Sequence, residues 1–187
     1  MILGTDKLLK LIKEHNLIKG LDKENINVEG CGVDLRIGEI YQMEKGKGFI
    51  YQETRDTPKY NLIAKFEKDK SVSLQKKIKL EPGKFYIAKT IETINVPKDI
   101  FGIFIPRGTF FASGVLVLGF RVDPGYQGNF RFHLVNLGGS EFEIEMGARI
   151  ANMIFLKVEG KTNLYQGQWQ GGRAFIEKEE EQTKQEF

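Results

Sequence analysis

The sequence predicts an all-β domain opened by one short helix. Short runs rich in Val, Ile, Phe and Tyr recur along the chain, with Gly, Pro, Asn and Asp clusters between them at close intervals, which is the pattern of strands joined by turns. Apolar residues at helical spacing occur only near the N-terminus, where Leu8, Leu9, Leu11 and Ile12 follow Thr5. A helix is therefore expected from Asp6 to His15, with Thr5 as its cap and His15 at its exposed end.

Strands are expected over residues 32–40, 71–80, 85–92, 102–105, 115–122, 129–136, 141–144 and 149–158. Glu81-Pro82-Gly83 reads as a tight turn between two of them. Residues 45–70 are lysine-rich and weakly patterned, so they are expected to form an insertion or mobile loop. No internal repeat is present.

With 187 residues, 41% hydrophobic and 28% charged, the chain has material for one substantial core. One domain over residues 1–175 is expected, followed by a charged tail over residues 176–187, either a frayed helix or disordered. The apolar runs are far shorter than the roughly 20 residues that span a bilayer, and Asp6 and several lysines interrupt the N-terminal leucines. No membrane partner and a cytoplasmic location are expected. A lone Cys31 excludes an internal disulfide and is expected to be a packed small residue. The net charge is +3, but residues 177–187 hold five glutamates against two lysines, or −3, which leaves +6 on the rest. That balance suits a small anionic ligand and is too mixed for a nucleic-acid groove.

The stretch richest in chemistry is Arg121-Val122-Asp123-Pro124-Gly125-Tyr126-Gln127-Gly128, expected to be a hairpin. Residues two apart on a strand share a face, so Arg121 and Asp123 point the same way and Val122 points into the core. Pro and Gly let backbone amides approach a flat ligand edge, and Tyr126 offers a ring to lie beneath a sugar. Taken alone, an ordinary Asp-Pro-Gly turn is the commoner explanation.

Five blocks in order change that balance: Gly30-Cys31-Gly32-Val33-Asp34-Leu35-Arg36, Pro106-Arg107-Gly108-Thr109, residues 122–128, residues 147–155 and Tyr165-Gln166-Gly167-Gln168. On these the chain resembles the trimeric deoxyuridine triphosphatase and deoxycytidine triphosphate deaminase family. The resemblance implies a distorted jelly-roll, dUTPase-like barrel, a homotrimer with active sites between subunits, and a C-terminal segment closing over a deoxypyrimidine triphosphate. It implies Asp123 as the catalytic carboxylate and Mg²⁺ as cofactor, without revealing ligands for the ion. Arg107, Gly108, Thr109, Arg121, Tyr126, His133, Tyr165, Gln168 and Arg173 become the candidate substrate-binding residues. Arg149 is a further cation with an equally open structural role.

Within the family, deamination uses a glutamate on the strand after the Asp-Pro-Gly stretch, and the corresponding residue here, ten after Asp123, is His133. The family's deaminase pattern Arg-Ser-Ser-Leu-Ala-Arg reads Arg107-Gly108-Thr109-Phe110-Phe111-Ala112 in this chain. These departures favour hydrolysis of deoxyuridine triphosphate to the monophosphate and pyrophosphate. A deaminase, monofunctional or bifunctional, and a nucleotide-binding homologue without catalysis are the alternatives. Phe130, Phe132 and Leu134 share one strand face and Arg131 and His133 the other, where His133 either meets the base or is a structural residue. Residues 170–175 read as a phosphate-covering lid, with Phe175 over the base, or as a flexible exit. Trp169 covers a ligand or packs on a neighbouring subunit.

Overall fold

The computed structural model describes residues 1–21, 28–175 and 180–181. Helix α1 (Thr5–His15) is followed by β1 (Ile18–Lys19), β2 (Val28–Glu29), β3 (Gly32–Met43), β4 (Phe49–Ile50), β5 (Thr54–Asp56), β6 (Tyr60–Lys65), β7 (Lys77–Leu80), β8 (Phe85–Asn95) and β9 (Ile100–Pro106). The short helix α2 (Gly108–Ala112) then precedes β10 (Val115–Leu118), β11 (Arg121–Val122), β12 (Gln127–Asn136), β13 (Phe142–Glu145), β14 (Arg149–Lys157) and β15 (Glu180–Glu181).

One antiparallel sheet runs in the order β10-β12-β8-β3-β14-β9-β11, with β1 added to β8 and both β2 and β6 added to β3. Laid flat, five strand spacings of about 4.8 Å would separate β12 from β11 by roughly 24 Å. Only residues 123–126 join those strands, and five Cα steps reach at most about 18 Å. The sheet must therefore curl until its two ends approach, which is the start of a barrel. Strand β3 helps it turn. Its first half pairs with β14, its second with β8 and β6, and the register slips between Ile37 and Glu39. The residue between is Gly38, where a Cβ would stand 2.8 Å from the Ile91 nitrogen, so the two strands approach closely at this bulge.

Alternate residues of the long strands fill the inside of the curl, including Val33, Leu35, Ile37, Phe132, Leu134, Met153 and Phe155. Phe104 stacks against Phe130 and Phe132 at 4.8 and 5.2 Å between ring centres. Helix α1 joins this core through the buried Leu8 and Ile12.

Several expectations are corrected. The helix includes Thr5, so its cap position is Gly4 and no side chain accepts from its first amides; the Thr5 hydroxyl donates instead to the Gly30 carbonyl. Residues 45–70 hold three strands: β4 and β5 pair with each other in a small separate sheet, and β6 pairs with β3. The run 71–80 is strand only over β7, preceded by a 3-10 turn at Val72–Leu74. The run 115–122 splits at Gly119, which sends β10 to β12 and β11 to β9. Residues 121–128 are consequently a corner between the sheet's two ends and not a hairpin. Cys31 is exposed, because it sits in the turn between β2 and β3 with its side chain directed outward. In the tail, Glu180 and Glu181 pair with β5, while residues 176–179 and 182–187 lie outside the described residues. Among the described residues no helix is long and apolar enough to cross a membrane.

Candidate active site

Asp123 leaves the end of β11 and enters the corner. The turn is closed by the Tyr126 amide donating to the Asp123 carbonyl, and it is pinned to the barrel where Gly125 N–H donates to Val96 O and Val96 N–H to Tyr126 O. Gly125 has φ of +85°, and a side chain there would strike Leu164, so glycine is required twice over. Arg121 and Asp123 share a face as expected: Arg121 Nε lies 3.1 Å from Asp123 Oδ1, with the arginine 71% and the aspartate 31% exposed. An ion pair this wet adds little stability, so its effect is to orient the carboxylate.

Behind the carboxylate is a cavity of about 270 Å³ lined by Phe120, Arg121, Val122, Asp123, Tyr126, Phe130, Arg131, Tyr165 and Trp169. This is near the small end of the roughly 300–1,000 Å³ typical of ligand pockets. Tyr126 is buried, its hydroxyl donating to the Asn129 carbonyl at 2.8 Å, and burial pushes its phenol pKa up so that it remains a donor. Tyr165 meets it edge-on at 5.6 Å.

Tyr165 and Trp169 arrive from the chain's own C-terminal segment. Tyr165 N–H donates to Pro124 O and Gly171 N–H to Gln127 O. The Gln170 amide spans the corner, accepting from Gln127 N–H at 2.9 Å and donating to Gly125 O at 3.0 Å. Trp169 lies over the Arg131 guanidinium at 3.8 Å. The segment approaches β12 glycine to glycine: a Cβ on Gly128 would be 2.4 Å from the Gly172 nitrogen, and one on Gly172 would be 2.6 Å from the Asn129 nitrogen. Gly128→Ala is expected to undock the segment. Faster exchange of the Gly171 amide and a shifted emission of Trp169, the one tryptophan of the chain, would report it; unchanged exchange and emission would refute it.

His133 does not line this cavity. It is packed between Phe85 and Phe120, each 5.4 Å away between ring centres. A guanidinium only donates, so the 3.1 Å contact with Arg131 Nη2 makes His133 Nε2 the acceptor and the ring neutral. Burial, and then the Arg131 charge, lower its pKa to about 4, partly offset by a bond to the Leu118 backbone. Unfolded histidine titrates near 6.5. Between those values the unfolded chain binds a proton that the native chain does not, so His133 costs stability increasingly as pH falls through the window, with no effect above it. The urea midpoint should accordingly drop less between pH 7 and pH 4 in His133→Gln than in the parent. An equal drop would show that His133 is not the titrating group.

The remaining candidates lie apart from the Asp123 cavity. Arg107 precedes α2, whose first residues are Gly108 and Thr109, and points to Asp34, as does Arg149, at 3.7 and 3.9 Å. Asn152 donates to the same carboxylate at 3.2 Å. Gln168 accepts from Arg173 Nη1 through its carbonyl at 3.4 Å. Gly171 and Gly172 N–H are both engaged within the protein, so they are not open to an anion in this arrangement. Phe175 stacks on Tyr60 at 5.9 Å rather than over the cavity. Phe120 was not singled out in the sequence, and Gln170 was read only as part of the lid over residues 170–175, not as a clamp on the corner. Alternation on β12 placed Arg131 outward, but only the docked segment brings Trp169 and the Ala174 carbonyl against it.

A curled antiparallel sheet whose end-to-end corner holds a carboxylate beside an aromatic pocket, with the C-terminal segment docked across it, places a candidate small-ligand site at the barrel seam. The chain belongs to the dCTP deaminase-like family, whose sequence pattern matches residues 2–158. It is 29% identical over 158 residues to a deoxyuridine 5'-triphosphate nucleotidohydrolase of Methanocaldococcus jannaschii, covering 83% of this chain and 94% of that protein. It is also 29% identical over 174 residues to a dCTP deaminase of Pyrobaculum islandicum, covering 92% and 93%. In fold it is similar to the 2'-deoxycytidine 5'-triphosphate deaminase of Agrobacterium tumefaciens, with a TM-score of 0.61 and 15% identity. That match covers 84% of this chain and 48% of the deaminase, so the chain spans about half of its length.

Proposed function

We propose that this protein hydrolyses deoxyuridine triphosphate to the monophosphate and pyrophosphate, as a homotrimer with active sites at subunit boundaries. The observation that carries the reading is Asp123, partly exposed and held by Arg121, on the wall of an aromatic cavity of nucleoside dimensions. The pyrimidine and its deoxyribose lie among Tyr126, Tyr165 and Trp169. Asp123 accepts a proton from the water that attacks the α-phosphorus, a new P–O bond forms, and the bond to the bridging oxygen breaks as pyrophosphate leaves. Arg107, Gly108 and Thr109 do not border the cavity of their own chain, which supports their delivery to a neighbour's phosphates. Exposed Ile105, Phe111 and Leu118 give apolar surface for such a boundary. Gln168 and Arg173 belong to the segment that covers the triphosphate, and residues 1–175 act as one unit.

Mg²⁺ belongs with the substrate in this reading. Among the described residues no three His, Cys, Asp or Glu side chains converge into a cage, and Mg²⁺ is ordinarily held by phosphate oxygens, waters and one or two carboxylates. The species bound is then the Mg²⁺–triphosphate complex.

Deamination is the less supported activity, because His133 stands where the family's glutamate is expected. Its ring is neutral with both nitrogens engaged, so it has no lone pair or proton to offer a water at C4. Chromatography of products from deoxyuridine, deoxycytidine and deoxythymidine triphosphates, with and without Mg²⁺, tests the proposal. Deoxyuridine monophosphate and pyrophosphate are expected, dependent on Mg²⁺. Ammonia from deoxycytidine triphosphate would make it a deaminase, and nucleotide binding without any product would make it a non-catalytic homologue.

A further inference from the structure

The outward face of β12 brings a cation into the cavity that the hydrolytic step does not use. Arg131 lines the cavity beside Tyr126, Tyr165 and Trp169. Its Cζ lies 3.8 Å from the Trp169 ring centre, its Nη1 donates to Ala174 O at 2.9 Å, and its Nη2 meets His133 at 3.1 Å. A guanidinium carries five N–H donors. Two are used, so three are left without an acceptor among the described residues. Among the described residues no carboxylate pairs with it either: its hydrogen-bonding neighbours are a carbonyl and an uncharged imidazole. A charged fork with unused donors, walled by rings, demands acceptors from whatever fills the space.

Pyrimidines differ at that demand. Uracil and thymine present a 4-oxo acceptor where cytosine presents a 4-amino donor. An amino group facing Arg131 would set donor against donor in an apolar pocket.

We infer that Arg131 is the specificity-determining residue of this pocket, donating to the 4-oxo oxygen of the ring and rejecting a 4-amino group, with His133 as the residue that positions it. The choice of histidine follows: a carboxylate at that position would pair with Arg131 and take up its donors, whereas a neutral imidazole accepts one bond and leaves the charge unneutralised. This inference rests on the Asp123 cavity being the nucleoside site.

The test is equilibrium binding of the α,β-imido analogues of deoxyuridine and deoxycytidine triphosphates, in Mg²⁺, to the full chain and to Arg131→Gln and Arg131→Lys. Trp169 emission monitors whether the segment still docks. The parent should prefer the uracil analogue by about 10- to 100-fold. Arg131→Gln, whose amide can accept as well as donate, should bring the two affinities within about threefold of each other, mainly by weakening the uracil analogue. Arg131→Lys keeps the cation but not the planar fork, and should lie between; it decides the matter by the same ratio where Arg131→Gln undocks the segment. Equal weakening of both analogues would reduce Arg131 to a latch for Trp169 and overturn the inference, as would a parent that does not distinguish the rings. A parent that binds neither analogue would overturn the proposed function itself.

Discussion

Asp123→Asn is expected to lower turnover of deoxyuridine triphosphate by about 10²–10⁴-fold, the usual contribution of a positioned general base, while affinity for the imido analogue changes only a few fold. Asparagine matches aspartate in shape and can still accept a hydrogen bond from Arg121, so the corner and the cavity walls should persist. What disappears is the negative oxygen that takes the proton from water. The folded state should scarcely notice, because the Arg121–Asp123 pair is largely solvated, at 71% and 31% exposed, and such pairs contribute about 0–1 kcal/mol. The corner is held instead by backbone bonds between Gly125, Tyr126 and Val96. The measurements are pyrophosphate release, calorimetric binding and thermal unfolding on one preparation. Unchanged catalysis would remove Asp123 from the mechanism, and a large loss of stability would mean that its role is structural.

The largest effect on stability is expected at Glu92, whose side chain is fully enclosed. Its carboxylate accepts from the Arg36 amide at 2.9 Å and from Arg36 Nε at 2.7 Å. Arg36 Nη2 then donates to Gly20 O at 2.9 Å, so one pair ties β3 and β8 to the chain beyond β1. Glu92→Ala leaves that guanidinium, itself only 13% exposed, without its counter-charge, and should cost about 3–5 kcal/mol. That is a large part of the roughly 5–15 kcal/mol that holds a domain together. Glu92→Gln should cost less, since an amide oxygen still accepts one of the two bonds. Replacing both partners, as in Glu92→Leu with Arg36→Met, should be milder than Glu92→Ala alone, because no buried charge is stranded. Urea denaturation separates the cases. A double variant less stable than Glu92→Ala would show that the pair is net stabilising and not a desolvated burden balanced by its partner.

Local chemistry made much of this protein legible in the sequence. Period-two alternation gave β12 its two faces, with Phe130, Phe132 and Leu134 inward and Arg131 and His133 outward, and the same rule put Arg121 beside Asp123. Both depend only on the pleat of a strand, which neighbours do not alter. Strand existence was mostly right for the same reason, whereas strand ends drifted. The run 115–122 reads as one apolar strand, yet Gly119 divides it between opposite edges of the sheet, and the pattern contains no term for which edge a strand will join.

Tertiary structure decided what comes together across the seam. Residues 121–128 look like a hairpin because a hairpin and a barrel corner use the same Asp-Pro-Gly turn; only the strand order separates them. Asp34, Arg107 and Arg149 are far apart in sequence and converge because β3, β9 and β14 are adjacent. Residue order by itself determined that the chain would be a small β domain with an arginine, an aspartate and a tyrosine in one turn and further aromatic residues near its C-terminus. The curl of the sheet decided that Phe120, Tyr126 and Phe130 would share a pocket, and the close approach of Gly128 and Gly172 decided that the C-terminal segment would bring Tyr165 and Trp169 to it, since two backbones can meet there only where neither carries a side chain.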